Sequence, residues 1–400
     1  MPLQATSGAA SYDGFGGGVA AVPNYIEDVF STYLYTGNGS TQTITNGIDL
    51  SGKGGMVWAK GRSVAYSHHL YDTNRGAGYR LLSNTTDAQA YSASLFLTAF
   101  NNNGFSLGSG QALNESAATY SSWTFRKQPK FFDVVTYTGN GSAPRNISHN
   151  LGSVPACIMI KRTDSTGTWT VYHVGTGNTK ALFLNADSAA DTNSAYWNNT
   201  TPTSTVFTLG GTFGDINANG ATYVAYLFAH NAGGFGLTGT DNVISCGSYV
   251  GNGSTNGPVI DLGFEPQWIL QKEVSNAGNW HILDVMRGMP VTGNTNLLLA
   301  NTSAAEYTNL GLFIKPTATG FQVVTTDNDF NTNGSTHIYI AIRRGPMKVP
   351  TDATKVFNSI TRTGTGATAN ITGAGFPPDM IWNRNRWNGY ETDVNDRLRG

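Results

Sequence analysis

A short Gly-Asn-Gly phrase returns along the chain and sets what it can fold into. It reads Tyr35-Thr-Gly-Asn-Gly-Ser40, Tyr137-Thr-Gly-Asn-Gly-Ser142 and Tyr249-Val-Gly-Asn-Gly-Ser254, with a decayed Arg362-Thr-Gly-Thr-Gly366. The spacings of 102, 112 and 113 residues are far longer than the roughly 20–50 residues of a solenoid unit and suit whole small domains. Three further markers keep step. Gly54-Gly-Met-Val-Trp-Ala-Lys60 aligns with Pro155–Lys161, Pro266–Lys272 and Pro378–Arg384. His68-His-Leu-Tyr-Asp72 aligns with Trp169–His173 and Trp280–Asp284. Tyr120-Ser-Ser-Trp-Thr-Phe125 aligns with Tyr223–Phe228 and His337–Ile342, so that Trp123, Tyr226 and Ile340 form one column. The apolar columns alternate with period two, the strand period.

These markers divide the chain into an N-terminal arm (1–34), three repeats (35–136, 137–248 and 249–360) and the start of an incomplete fourth (361–400). Half a sandwich leaves bare edges, so the sequence is expected to be the N-terminal portion of a longer chain. Each repeat carries short strands separated by Asn-, Gly-, Asp- and Ser-rich turns, and shows no extended helical stripe. The expected fold class is all-β: tandem antiparallel β-sandwich domains, jelly-roll or lectin-like, with an extended N-terminal arm. Within the arm, Tyr25, Ile26, Val29 and Phe30 share one side of a helical turn and read as a docking peptide.

Composition removes several functions. Charged residues are 12% of the chain and the formal net charge is -1, which argues against a nucleic-acid partner met through a basic face. No apolar run is long enough to cross a membrane as a helix. Two cysteines, Cys157 and Cys246, make neither a disulfide framework nor a four-cysteine zinc site. Ser106 fits the letters of a nucleophile elbow, but the segment reads as a strand. Asp72 and Asp284 recur, yet His173 stands between them, as a structural position would allow and a duplicated catalytic carboxylate would not. No catalytic residue is therefore expected, and no cofactor. The one metal candidate is calcium at Asp327, Asp329, Asn331 and Asn333, whose alternate oxygens resemble half of a calcium loop; the acid that would close such a loop is missing, Ile340 standing twelfth from Asp329. Trp58, Trp268 and Trp382 lie in apolar strands and read as core. Trp197 and Trp387 sit among asparagines and are the candidates for stacking on a glycan.

The Tyr-Thr-Gly-Asn-Gly marker, Trp58-Ala-Lys-Gly-Arg62, His68-His-Leu-Tyr-Asp-Thr-Asn-Arg-Gly76, Trp123–Lys127 and Phe131–Thr136 together resemble a domain repeated in virion proteins of tailed phages, frequent among marine and cyanobacterial phages. The resemblance covers most of residues 35–360. It implies a concanavalin-like sandwich and a structural, tail-fibre-like role without catalytic residues. The expected function is a tail fibre or tail-associated appendage of the virion. Its arm, residues 1–34, would meet other tail or connector proteins, and its repeats a host glycan or receptor. Homo-oligomerisation is expected, a trimer being common for fibres. The alternatives are a carbohydrate-binding depolymerase and a bacterial surface lectin.

Overall fold

The computed structural model describes residues 23–211, 213–348, 352–376, 378–387 and 389–396. Unit one comprises β1 (Phe30–Thr36), β2 (Gln42–Thr45), β3 (Gly55–Gly61), β4 (His69–Asp72), β5 (Tyr79–Leu82), β6 (Ala90–Tyr91), β7 (Leu97–Asn101), β8 (Gly104–Leu107), the single turn α1 (Gln111–Asn114) and β9 (Thr119–Arg126). Unit two comprises β10 (Phe132–Thr138), β11 (Arg145–Ser148), β12 (Cys157–Arg162), β13 (Thr170–His173), β14 (Lys180–Phe183), β15 (Asp191–Thr192), β16 (Val206–Leu209) and β17 (Thr222–Phe228). Unit three comprises β18 (Ile244–Val250), β19 (Val259–Asp261), β20 (Pro266–Glu273), β21 (Trp280–Asp284), β22 (Thr295–Leu299), β23 (Tyr307–Leu310), β24 (Ile314–Thr317), β25 (Gly320–Val323), the turn α2 (Asn328–Asn331) and β26 (Thr336–Arg343). A hairpin of β27 (Met380–Asn383) and β28 (Asp393–Asp396) follows.

All pairings are antiparallel and the all-β sandwich class stands. Each unit has one six-stranded sheet: β1-β9-β3-β4-β5-β6, β10-β17-β12-β13-β14-β15 and β18-β26-β20-β21-β22-β23. A smaller sheet covers its outer face: β2-β8-β7, β11-β16 and β19-β25-β24. The register is the same in each unit. Trp58 lies opposite Trp123, Met159 opposite Tyr226 and Leu270 opposite Ile340. Each unit begins five residues before its marker tyrosine, at Phe30, Phe132 and Ile244, so boundaries drawn at 35, 137 and 249 cut through β1, β10 and β18.

The first marker has a direct cause. Tyr35 stacks on Tyr120, Tyr137 on Tyr223 and Tyr249 on His337, with ring centroids 5.1, 5.0 and 4.9 Å apart. Their hydroxyls donate to the carbonyls of Leu113, Ile216 and Phe330. The Gly-Asn-Gly turn is then locked by one buried asparagine per unit. Asn217 accepts from the Asn140 backbone N–H and donates to the Ser142 carbonyl. Asn114 does the same for the Asn38 turn, and Asn331 for the Asn252 turn.

The large sheets are buried on both faces. All seven residues of β3 are buried. Val57 and Ala59 face the small sheet, in a core with Ile44, Phe105 and Tyr120. Met56, Trp58, Trp123 and Phe125 face the other way, into a core shared with Tyr226 and Phe228 of unit two and with Trp268 and Ile340 of unit three. An apolar layer common to all three units makes them mutually dependent, because burial is the main stabilising term.

The arm is not a free peptide. Ile26 and Val29 are fully buried and Phe30 nearly so, all in the shared core, with the Phe30 ring 4.9 Å from Phe125 and 6.2 Å from Trp268. The helical turn expected there is a 3-10 turn over Ile26–Asp28, and β1 starts one residue later, after Val29. Tyr25, half-buried, is the N-cap of that turn. The expected arm therefore ends within fold, and its first 22 residues lie outside the described residues. Removing residues 1–34 deletes five of the seven residues of β1, and with them and the turn three core side chains; truncating one such side chain costs about 2–5 kcal/mol. A variant starting at residue 35 is expected to lose the cooperative thermal transition that a variant starting at residue 23 keeps, as read by circular dichroism.

Candidate functional site

The polar residues that recur in sequence gather where the units meet. The Gln89 backbone N–H donates to the Thr163 carbonyl at 3.0 Å, Ala190 to Val274 at 3.0 Å and Glu306 to Arg62 at 2.8 Å. The Trp169 indole N–H donates to the Leu82 carbonyl and that of Trp280 to Phe183, both at 2.9 Å. His68, in the same column, bonds through Nε2 to the Leu299 carbonyl at 3.0 Å. Unit one thus meets unit two, two meets three and three meets one through equivalent atoms. The three units close into a ring with an approximate threefold axis. Strung beads, as the repeat alone suggests, are not what forms.

The recurrent lysines serve the same junctions. Lys60, Lys161 and Lys272 are fully buried and donate to the carbonyls of Gly61, Arg162 and Glu273. Lys161 and Lys272 also cross to the preceding unit, to Thr86 at 3.1 Å and Asp187 at 2.9 Å. Burial pushes both ammonium groups down to about 8. At the closing junction Lys60 turns to Val64 of its own unit, and Arg62 reaches across to Glu306 at 2.8 Å.

The recurrent carboxylate belongs to a clamp. Asp72 holds Arg75 Nε at 2.6 Å and accepts from the Tyr226 hydroxyl of unit two at 2.8 Å. Asp284 holds Arg287 Nε at 2.6 Å and accepts from the Trp123 indole of unit one at 3.0 Å. Arg287 also meets Glu306 at 3.0 Å and lies with its guanidinium 5.4 Å from the Trp123 ring centre. The second unit has His173 and Thr176 at these positions, and its partner column holds Ile340, which offers no donor. His173 Nε2 instead bonds to the neighbouring Tyr339 carbonyl at 3.1 Å, and burial takes its imidazole down to about 4. The variation of the Asp/His column follows the residue it faces across the junction. These carboxylates are engaged by arginine, phenol and indole, an arrangement that joins units.

The calcium candidates are bonded differently from a calcium loop. Asp327 caps α2, its carboxylate accepting the Asp329 backbone N–H at 2.9 Å. Asp329 accepts from the Asn279 side chain at 3.2 Å and lies 3.4 Å from His281 Nε2. The Asn331 side-chain N–H groups donate to the carbonyls of Ser254 and Thr325, both at 2.7 Å. Asn333 is exposed in the following turn. The Asn331 amide spends its donors on carbonyls while its oxygen accepts the Asn252 backbone N–H, the pattern of a turn lock. The resemblance to half a calcium loop thus comes from the turn lock shared with Asn114 and Asn217. Among the described residues no group of three or more His, Cys, Asp or Glu is placed to hold a metal ion. Asn331→Ala is expected to cost about 3 kcal/mol, because it leaves several turn groups unpaired. Calcium at about 10 mM, above the roughly 0.1–1 mM dissociation constants of extracellular sites, is expected to leave the thermal midpoint unchanged. Calorimetry reads both.

The two glycan candidates part ways. Trp197 is buried, its indole N–H donating to the Lys180 carbonyl at 2.9 Å and its ring edge-on to Tyr172. Asn198 and Asn199, both with φ near +50°, form the turn that folds it back onto the sheet; asparagine tolerates that conformation, so these neighbours mark a turn and not exposure. Trp387 is 93% exposed, and Trp382 and Tyr390 are exposed at 72% and 65%. Trp58 and Trp268 are in the core as their strands imply, and Trp382, expected there too, is not.

None of the curated proteins searched matches this chain. The model of a domain of unknown function, DUF7483, matches residues 26–346, a span that opens on the buried 3-10 turn and ends three residues after β26. The matched span is the closed ring, and the chain belongs to this family.

Proposed function

We propose that this chain is a structural and adhesive protein of a tailed-phage particle, in which the three-unit ring is a rigid body and the segments outside it make the contacts. The observation that carries this reading is where the polar groups are spent. The Asp/His, Arg and Lys columns are engaged in unit junctions, while three large exposed aromatics, Trp382, Trp387 and Tyr390, follow the ring in the chain. Exposed indole and phenol faces suit stacking on sugars, so Trp387 is the glycan-contact residue of this proposal. The resemblance to repeated domains of phage virion proteins supports the location, on the tail of the particle. With Ile26, Val29 and Phe30 in the core, attachment to tail or connector proteins is assigned to residues 1–22. Homo-oligomerisation would multiply weak surface contacts through avidity.

The test is mass spectrometry of purified particles that carry either the full chain or a variant starting at residue 23. The full chain is expected in the particles and the shortened one is expected to be lost, although folded. Equal incorporation would remove the attachment role of residues 1–22, and absence of the full chain would remove the virion reading. Release of reducing ends from host polysaccharide would favour the depolymerase alternative instead.

A further inference from the structure

In units one and two a tyrosine hydroxyl ties the large sheet to the segment that carries the locking asparagine. The Tyr120 hydroxyl accepts the Glu115 backbone N–H at 2.8 Å and donates to the Gln111 carbonyl at 2.6 Å. The Tyr223 hydroxyl accepts the Ala218 backbone N–H at 2.8 Å and donates to the Gly214 carbonyl at 2.7 Å. Counted from Asn114 and Asn217, the N–H belongs to the next residue, the carbonyl to the third residue before and the tyrosine to the sixth after. The same count from Asn331 gives Thr332, Asn328 and His337 in unit three. His337 keeps the place of the tyrosine, opposite Tyr249 as Tyr120 is opposite Tyr35 and Tyr223 opposite Tyr137. Its imidazole is shorter than a phenol and carries no hydroxyl.

The ring nitrogens of His337 have distinct roles. His337 is fully buried, and its Nε2 has no hydrogen-bond partner among the described residues. Its Nδ1 lies 3.1 Å from the Gln271 side-chain nitrogen. That nitrogen also donates to the Asp329 carbonyl at 2.8 Å, which fixes the orientation of the amide. An amide nitrogen donates and does not accept, so Nδ1 accepts and the proton of the neutral ring sits on Nε2. The Nε2–H group is thus a buried donor with nothing in the chain to meet, a costly state. Thr332 shares it: α2 ends without the N–H-to-carbonyl bond, 3.1 Å long, by which Glu115 closes α1. We infer that unit three holds one ordered water at the place taken by the tyrosine hydroxyl in the other two units. The water accepts from His337 Nε2–H and from the Thr332 N–H, and it donates to the Asn328 carbonyl. Three partners are the usual number for an internal water. Two N–H donors and one carbonyl call for a ligand that both accepts and donates, which suits water and neither a simple anion nor a metal cation. The oxygen that belongs to the chain in two units comes from solvent in the third.

High-resolution crystal structures of the full chain, as wild type and as His337→Tyr, test this. The wild type is expected to show a solvent peak within about 3.2 Å of both His337 Nε2 and the Thr332 nitrogen. In His337→Tyr the peak is expected to be lost, with the new hydroxyl at its position, bonded to the Thr332 N–H and the Asn328 carbonyl. Nitrogen–proton correlation spectra of the wild type read the site without any substitution. They are expected to show the Nε2–H tautomer of His337 and a nuclear Overhauser effect from that proton to water. A wild-type structure without the solvent peak overturns the inference. So does a direct bond from His337 Nε2 to a protein atom, or a neutral ring protonated on Nδ1.

Discussion

Asp72→Ala is expected to destabilise the ring by about 3–5 kcal/mol, because it strands the Arg75 guanidinium in the interior. Arg75 is 4% and Asp72 0% exposed at the side chain. The partners that would remain to Arg75, the Leu70 carbonyl, Tyr226 hydroxyl and Gln89 side chain, carry no charge. A buried pair is weak evidence for net stability, but the loss of one member is severe. The second unit supplies the control. There the same columns hold His173 and Thr176, and the histidine bonds to the Tyr339 carbonyl. Asp72→His with Arg75→Thr and Tyr226→Phe is therefore expected to recover most of the loss, since no charge stays buried and a histidine at that place meets the Ala225 carbonyl. Urea unfolding of wild type, Asp72→Ala and the triple variant reads the series. A single-variant cost below about 1 kcal/mol, the size of an exposed ion pair, would show that the clamp does not hold this junction.

Acid is expected to unfold the ring between about pH 6.5 and 4. All seven histidines are pushed below their ordinary value, burial being the largest cause in each. His69 falls to about 3 and His173 to about 4. The sign follows from proton uptake. The unfolded chain takes up protons as pH drops through 6.5, the native His173 and His69 imidazoles do not until about pH 4 and 3, and stability falls across that window. Each of His69 and His173 contributes on the order of 3 kcal/mol or more to the loss, at about 1.4 kcal/mol per pH unit. Domains are commonly stable by about 5–15 kcal/mol, so two such groups consume much of the margin. Circular dichroism against pH is expected to show a transition in this range, shifted to lower pH by His173→Gln. A flat signal down to pH 4 would contradict neutral burial of these rings.

Much of the unit was legible before any coordinates. Period-two columns gave the strands, and the aligned markers gave a common register, because both depend on local backbone geometry. Closure into a ring was not legible, since a repeat period records that units recur and not the rotation between them. One signal was present nonetheless. Met56-Val-Trp-Ala-Lys60 is apolar on both faces, and a two-sheet sandwich covers only one face of each sheet. The docking peptide failed for a related reason: Ile26, Val29 and Phe30 form an apolar side that looks the same whether it meets a partner or its own core. The calcium-like letters coincide with a turn lock, because a turn-locking asparagine and an ion-binding one share an alphabet and differ in the direction of the amide.

The three junctions are alike in backbone and unlike in side chains. One is keyed by carboxylate, guanidinium and phenol, one by imidazole and carbonyl, and one by two acids, two guanidiniums and an indole. Each surface therefore fits only its own neighbour, and a unit docked out of turn would leave a charge without its counterpart. A homotrimer cannot carry such keys, because symmetry makes its three contacts identical. Joining the copies in one polypeptide lets them diverge, so the assembled body presents three distinct sectors to whatever lies along its axis.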